Sequence, residues 1–163
     1  MNRELHIVGF QVGRETYAVP IASLHEIVRL TEITAVPDAP EYIEGVINLR
    51  GKIVSVIDLR KRFGEKQIVT NHKKNRILVV ESHGRLTGLI VDSASDVIKI
   101  PTEDVEPAPT VFQDGGLNCV TGLGKYKNRL IVLLDMNKLL QQSGSKREEK
   151  SAEAKGAAAG QQA

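Results

Sequence analysis

A chain of 163 residues can bury a hydrophobic core either as one domain or as two very small ones. Apolar residues make up 41% of the chain but aromatic residues only 4%, and tryptophan is absent, so the core must be aliphatic. The formal net charge of +2 excludes a strongly basic field as the main means of attracting a partner.

The single cysteine, Cys119, excludes an internal disulfide framework and fits a reducing cytoplasm. Residues 1–10 include Glu4 and lack the apolar stretch of a signal peptide. The longest strongly apolar run, residues 130–134, is far shorter than a membrane span. We therefore expect a soluble cytoplasmic protein.

The first half of the chain predicts short strands joined by tight turns. Apolar and β-branched residues predict strands at residues 7–12 and 17–19, and a short polar–apolar bridge follows at residues 23–28. A proline-punctuated loop then leads to a predicted helical turn over residues 40–45, which has Pro at its start and Gly at its end.

The most informative stretch is residues 45–64, GVINLRGKIVSVIDLRKRFG. Asn and Gly in residues 48–51 supply the backbone freedom that a tight turn requires. A β-branched strand is predicted at residues 53–57. Asp58 is a predicted N-cap for a helical turn over residues 59–63, which a glycine ends.

Arg50 lies in the tight turn of this stretch, where a stiff hairpin would hold it out. Two interpretations are open: Arg50 is a solvated turn residue, or it binds a rigid partner surface. Arginine suits the second role because its planar guanidinium holds a partner in a fixed geometry.

The second half repeats this order of elements. A strand at residues 77–81 returns through residues 86–91, a bridge follows at residues 94–98, and a closing hairpin ends in LLDM, as the first half ends in VIDL. Asp135 is again a predicted N-cap, here for a helix over residues 136–142. Two such sets of about five strands predict an all-β fold of two small closed barrels with short helical turns and a C-terminal helix. An aliphatic groove between the barrels would accept an amphipathic helix or a helical hairpin.

The composition changes at Ser143. Residues 143–163 contain no apolar side chain larger than alanine, so they cannot bury enough surface to offset the entropy of ordering. We expect a disordered tail there and one domain, made of two barrel subdomains, over residues 4–142.

No catalytic or metal-binding motif is complete in the sequence. Gly124-Lys125 lacks both the upstream glycine and the following Ser or Thr of a phosphate-binding loop, and the four histidines have no metal-ligand spacing. We expect no catalytic activity, no cofactor and no metal. An enzyme with a site assembled between the barrels stays an alternative.

A second alternative is a small-barrel nucleic-acid-binding protein. It is favoured by a local run of basic residues: Arg60, Lys61, Arg62, Lys66, His72, Lys73, Lys74 and Arg76. Aromatic residues for base stacking are missing there beyond Phe63, so the run is better interpreted as a solvated helix end and loop.

Four motifs, in order along the chain, resemble those of CheW-type chemotaxis coupling proteins. They are LHEI at residues 24–27, NLRG followed by VIDLRKRFG, GLIVD followed by SDV, and TGLG followed by RLIVLLD. The resemblance extends from about Glu4 to Leu140. Ser55 replaces the proline that the family usually carries before its V-I-D-L motif, which leaves the pattern intact.

This resemblance implies a fold of two intertwined five-stranded SH3-like barrels around a shared apolar core. It implies a non-catalytic adaptor, without a cofactor, that couples methyl-accepting chemoreceptors to the CheA histidine kinase. One barrel surface would pair with the regulatory domain of the kinase, and the groove between the barrels would receive the cytoplasmic tip of a receptor. A CheV-like adaptor would carry a receiver domain after the barrels. Because only the predicted tail over residues 143–163 follows the barrels here, a plain coupling protein is expected.

The matching motifs also carry over candidate partner-binding residues. Arg50 is the first of them, paired with an acidic or amide group on the receptor tip, and Glu26 and Leu24 come next. The remaining candidates, whose plain roles would be turn and core, are Asn48, Leu49, Val91 and Asp92.

Overall fold

A computed structural model describes residues 3–40, 43–109 and 119–140. These residues form strands with two short 3₁₀ turns, one short α-helix, α1 (Leu59–Arg62), and a second helical segment, α2, over residues 136–140. The strands are β1 (Glu4–Val12), β2 (Glu15–Pro20), β3 (Leu24–Arg29), β4 (Ile43–Leu49), β5 (Lys52–Asp58), β6 (Arg76–Ser82), β7 (Arg85–Val91), β8 (Ser93–Pro101), β9 (Val105–Pro107), β10 (Val120–Tyr126) and β11 (Arg129–Leu134).

The strands form two sheets that exchange hairpins. The six-stranded sheet has the order β8-β1-β2-β11-β10-β9, and the five-stranded sheet has the order β3-β6-β7-β5-β4. The hairpin β1–β2 from the first half pairs with β8 and β11 of the second half, whereas β6–β7 pairs with β3 and β5 of the first half. The prediction of an all-β fold with two intertwined SH3-like units is therefore confirmed, with a sixth short strand, β9, added to one sheet.

Among the described residues, three apolar clusters make up the core. One lies within the six-stranded sheet and includes Ile7 and Ile131, and a second lies within the five-stranded sheet and includes Val54 and Ile77. The third and largest, here called the shared core, lies between the sheets. Its members are Phe10, Val12, Val19, Ile57, Leu59, Leu78, Val80, Leu89, Val91, Cys119, Val120, Val132, Leu134, Met136 and Leu139. Burial of this shared aliphatic surface holds the two sheets together.

Both predicted helix caps are confirmed. The backbone N–H of Arg60 donates to Asp58 Oδ1 at 2.9 Å, at the start of α1. Similarly, the N–H of Lys138 donates to Asp135 Oδ1 at 3.1 Å, at the start of α2. Each carboxylate satisfies a backbone donor that the first helical turn leaves without a partner.

The predicted helical turn over residues 40–45 is wrong, because Ile43 is already the first residue of β4. The N–H of Ile43 donates to the carbonyl of Pro40 at 3.0 Å, and Val46 then bonds to Thr34 and continues the sheet. Residues 41 and 42 lie outside the described residues, as do the end of the predicted helix, residues 141–142, and the predicted tail, residues 143–163.

Candidate functional site

The hairpin β4–β5 holds Arg50 at its tip. Leu49 pairs with Lys52, which leaves Arg50 and Gly51 as a two-residue turn with φ angles of 52° and 85°. Two positive φ angles are typical of a type I′ turn, whose twist matches that of the flanking strands. The side chain of Asn48 closes this turn by accepting from the N–H of Gly51 at 2.8 Å. The turn therefore projects the Arg50 side chain, which is 73% exposed.

Glu26 holds the guanidinium of Arg50 in one orientation. Arg50 Nη1 donates to Glu26 Oε1 at 2.5 Å and Nη2 donates to Oε2 at 2.9 Å, a bidentate arrangement. Glu26 lies on β3, which is one edge of the five-stranded sheet, while the β4–β5 hairpin forms the opposite edge. The sheet therefore curls until its two edges meet at this ion pair.

The electrostatics of the pair follow from this geometry. The hydrogen bonds from Arg50 lower the pKa of Glu26, more than its partial desolvation raises it, and the positive charge of Arg50 adds to the effect. The same hydrogen bonds raise the pKa of Arg50. Glu26 uses two of the five N–H donors of a guanidinium, so Arg50 has donors left for a partner.

An exposed apolar side chain lies two residues after the turn that carries Arg50. Ile53 is 70% exposed and is the cross-strand neighbour of Asn48. Sequence reasoning placed Ile53 in a strand but not in the site. The signal was present in the alternation of β5, since buried Val54 and Val56 imply that Ile53 faces outward. Together, Glu26, Arg50, Asn48 and Ile53 form what we call the tip patch.

The other predicted site residues occupy different environments. Leu24 is half-buried against the shared core, and Leu49 is half-buried against the core of the five-stranded sheet. Val91 is fully buried in the shared core, so any contribution of its side chain to binding would be indirect. Asp92 lies away from the tip patch, in a polar network with Arg60. The assignment of all seven residues to partner binding stays a prediction.

Arg60 is not part of a solvated basic face, contrary to expectation. Its side chain is 5% exposed and makes two bonds of 3.0 Å to the carboxylate of Asp58. Burial disfavours the charged guanidinium, but the hydrogen bonds and charge of Asp58, with a smaller contribution from Asp92, raise the pKa of Arg60 overall. Lys61 is also engaged, at 2.5 Å from Glu44. The basic run is thus interrupted by internal ion pairs.

Residues 3–40, 43–109 and 119–140 contain no group of three or more His, Cys, Asp or Glu side chains that could hold a metal ion. Cys119 is buried in the shared core, and this burial raises the pKa of its thiol, which disfavours the reactive thiolate. Within the same residues, no helix has the length and apolar character to cross a bilayer.

Comparison with known proteins places the chain in a family. The family model described as "CheW-like domain" matches residues 6–144. The chain is 37% identical to chemotaxis protein CheW of Helicobacter pylori, over 84% of this chain and 82% of that protein, and 33% identical to chemotaxis protein CheW of Bacillus subtilis, over 85% and 88%. The crystal structure of the scaffolding protein TtCheW from Thermoanaerobacter tengcongensis superposes with a TM-score of 0.76 at 41% identity, covering 82% of this chain and 90% of that one. The chain therefore belongs to the CheW-like family of chemotaxis scaffold proteins.

Proposed function

We propose that this protein is a non-catalytic adaptor that couples methyl-accepting chemoreceptors to the CheA histidine kinase. It would act in the cytoplasm and be recruited to membrane receptor arrays. The observation that carries this proposal is the match to the CheW-like family model over residues 6–144, which include every residue of the tip patch. Membership of a scaffold family also favours a binding role over catalysis.

The tip patch has the composition of a small binding surface. It combines a preoriented guanidinium with an exposed aliphatic side chain, Ile53, and such arginine-centred patches dominate the energy of many interfaces. The partner group that fits Arg50 is a carboxylate or an amide oxygen, because a guanidinium only donates hydrogen bonds. Glu26 fixes the rotamer of Arg50, so less conformational entropy would be lost on binding.

An adaptor also needs a second surface. Around the shared core lies a rim of half-buried apolar side chains that includes Leu24, Ile43, Ala94 and Leu123. A rim of this kind favours contact with the apolar face of a helix, which is the chemistry expected of a helical receptor tip. Each contact would be modest in affinity, and the array would hold by multivalency.

The test is a titration of the protein against the isolated CheA regulatory domain and, separately, against a receptor signalling fragment. Arg50→Ala and Glu26→Ala would be measured beside the wild type. Lys127→Ala is the matched control, because Lys127 is also a cationic first residue of a two-residue hairpin turn, with a φ of 48°. We expect saturable binding of both partners by the wild type and by the control.

The variants distinguish the roles within the tip patch. For the partner that contacts the patch, we expect Arg50→Ala to weaken binding by about tenfold or more. Glu26→Ala should weaken binding less, since it frees the guanidinium without removing it. If neither partner binds the wild type in low or moderate salt, the coupling function is wrong. If both partners bind Arg50→Ala as well as they bind the wild type, Arg50 does not belong to the interface.

Nucleic-acid binding is not supported by the structure. Two members of the basic run that favoured nucleic-acid binding are engaged within the protein: Arg60 is buried against Asp58, and Lys61 is paired with Glu44. The basic surface is therefore smaller than the sequence indicates. The same titration with single-stranded and double-stranded DNA provides the comparison, because electrostatic binding to DNA would weaken steeply with salt.

A further inference from the structure

Asp92 lies where the chain passes from one sheet to the other. It is the single residue between β7, in the five-stranded sheet, and β8, in the six-stranded sheet. The other crossing between the sheets, from β2 to β3, is a 3₁₀ turn over Ile21–Ser23 in which no residue is buried. The two crossings therefore differ in how firmly they can be held.

The backbone and side-chain polar groups of Asp92 bond to both sheets. From the hairpin β1–β2, the carbonyl of Gln11 accepts from the N–H of Asp92 at 2.9 Å, and the N–H of Gly13 donates to Asp92 Oδ2 at 2.7 Å. From the segments that flank the five-stranded sheet, Asn75 Nδ2 donates to the Asp92 carbonyl at 3.1 Å, and Arg60 Nη1 donates to Asp92 Oδ1 at 3.4 Å. Backbone N–H, carbonyl and both carboxylate oxygens are thus all engaged.

Two of the partners of Asp92 are themselves buried and bonded to other groups. Arg60 is 4% exposed and is held by the carboxylate of Asp58, and Asn75 is 2% exposed. Asn75 is further fixed because its Oδ1 accepts from the N–H of Asn71 at 2.8 Å. The Asp92 side chain itself is 32% exposed. A polar network that links it to buried and bonded groups in this way favours one arrangement of the elements that it joins.

We infer that Asp92 is a positioning residue, which fixes the arrangement of the two sheets across the shared core. It would act on partner binding through that arrangement, since the rim of the shared core draws side chains from both sheets, and not by touching a partner. This consequence for binding rests on the proposed function, whereas the fixed arrangement of the sheets does not.

The arrangement can be measured without a partner by the distance between two spin labels, one on each sheet. Exposed Lys52 in β5 and Lys125 in β10 would be replaced by cysteine and labelled, while Cys119 is buried and is expected to stay unlabelled. The distance distribution would be recorded in the otherwise wild-type protein and in Asp92→Ala. Asp104→Ala, which removes an exposed carboxylate from a surface turn, is the control.

We expect Asp92→Ala to shift or broaden the distance distribution and Asp104→Ala to leave it unchanged. Hydrogen exchange of the Gly13 amide should become about tenfold to a hundredfold faster in Asp92→Ala, as expected for loss of a bond to a charged acceptor. Asp92→Asn keeps an acceptor for this amide and should give a smaller change. If Asp92→Ala does not fold, Asp92→Asn takes its place.

Binding of the CheA regulatory domain and of the receptor fragment completes the test. Weakened binding together with a changed distance distribution supports the inference. An unchanged distribution with weakened binding overturns it and makes Asp92 a contact residue, and an unchanged distribution with unchanged binding overturns it as well. Unchanged binding with a changed distribution overturns the consequence for binding. If the unlabelled wild type binds neither partner, the proposed function fails, but the distance distribution still decides the role of Asp92.

Discussion

A comparison of the two capping aspartates separates the effect of the buried Asp58–Arg60 ion pair on stability from the effect of the helix cap. Asp58 ends β5 and Asp135 directly follows β11, and each accepts a backbone N–H at the start of a short helix. Only Asp58 also bonds the guanidinium of a buried arginine, through both carboxylate oxygens. Asp58→Ala therefore removes both an N-cap and the bonds to a buried arginine, whereas Asp135→Ala removes an N-cap without such bonds.

We expect Asp135→Ala to lower the free energy of unfolding by about 1 kcal/mol, the usual contribution of an N-cap. Asp58→Ala should lower it by about 3–5 kcal/mol, because Arg60 would stay buried without its principal counter-charge. In urea, with a slope of about 2 kcal/mol per M, this corresponds to a decrease in the unfolding midpoint of about 1.5–2.5 M for Asp58→Ala. Domains typically have a free energy of unfolding of about 5–15 kcal/mol, so the variant would still fold unless the wild type lies near the lower end of that range.

The measurement is urea unfolding followed by circular dichroism for the wild type, both single variants and the double variant Asp58→Ala/Arg60→Met. The double variant should be more stable than Asp58→Ala alone, since it removes the uncompensated charge and fills the volume with an apolar side chain. Equal losses in Asp58→Ala and Asp135→Ala would refute the assigned role of the ion pair. So would a double variant that is less stable than Asp58→Ala.

Three further predictions concern single groups. The Glu26 carboxyl, followed by NMR, should titrate below its ordinary pKa and return toward that value in Arg50→Ala, and an unchanged titration would contradict the bidentate pair. Because the folded-state pKa of Glu26 is lowered, the contribution of the pair to stability should be present above the ordinary pKa and lost as pH falls. Gly45→Ala should lower the free energy of unfolding by about 1–3 kcal/mol, because Gly45 has a φ of 146° and a Cβ there would lie 1.9 Å from the carbonyl oxygen of Thr34. Urea unfolding measures the loss, and a variant as stable as the wild type would contradict the predicted clash. Burial is the main cause that raises the pKa of the Tyr17 phenol to about 12, so the stability of the fold should decrease as pH rises from 10 toward 12. Ultraviolet absorbance measures the ionisation of the phenol, and a pKa near 10 would contradict its burial.

Local patterns were sufficient for most of the strands and caps. The β-branching of residues 53–57 predicted β5, and Asn and Gly predicted the turn that displays Arg50, because strand and turn preferences act over a few residues. The capping role of Asp58 could likewise be predicted, since an N-cap depends only on its own helix. The wrong prediction of a helical turn over residues 40–45 also depended on a local signal, the proline at residue 40. That signal was outweighed by the pairing of Val46 with Thr34.

The candidate site depended on contacts between distant parts of the chain. Sequence identified Glu26 and Arg50 separately, but only the curling of the five-stranded sheet brings residues 24 positions apart into a bidentate pair. Sequence also grouped Arg60 with a solvated basic run, whereas the fold buries it against Asp58 and joins it to Asp92.

The exchange of hairpins between the two halves was likewise a matter of tertiary structure. The repeated order of elements in the sequence is compatible with barrels built from one half each, and the resemblance to a family, not the pattern of residues, supplied the intertwining. Strand propensity and turn type are decided by neighbouring residues, so they can be predicted from the sequence. The choice of strand partner, and the burial of a charge that depends on it, are decided by packing across the shared core, to which both halves contribute.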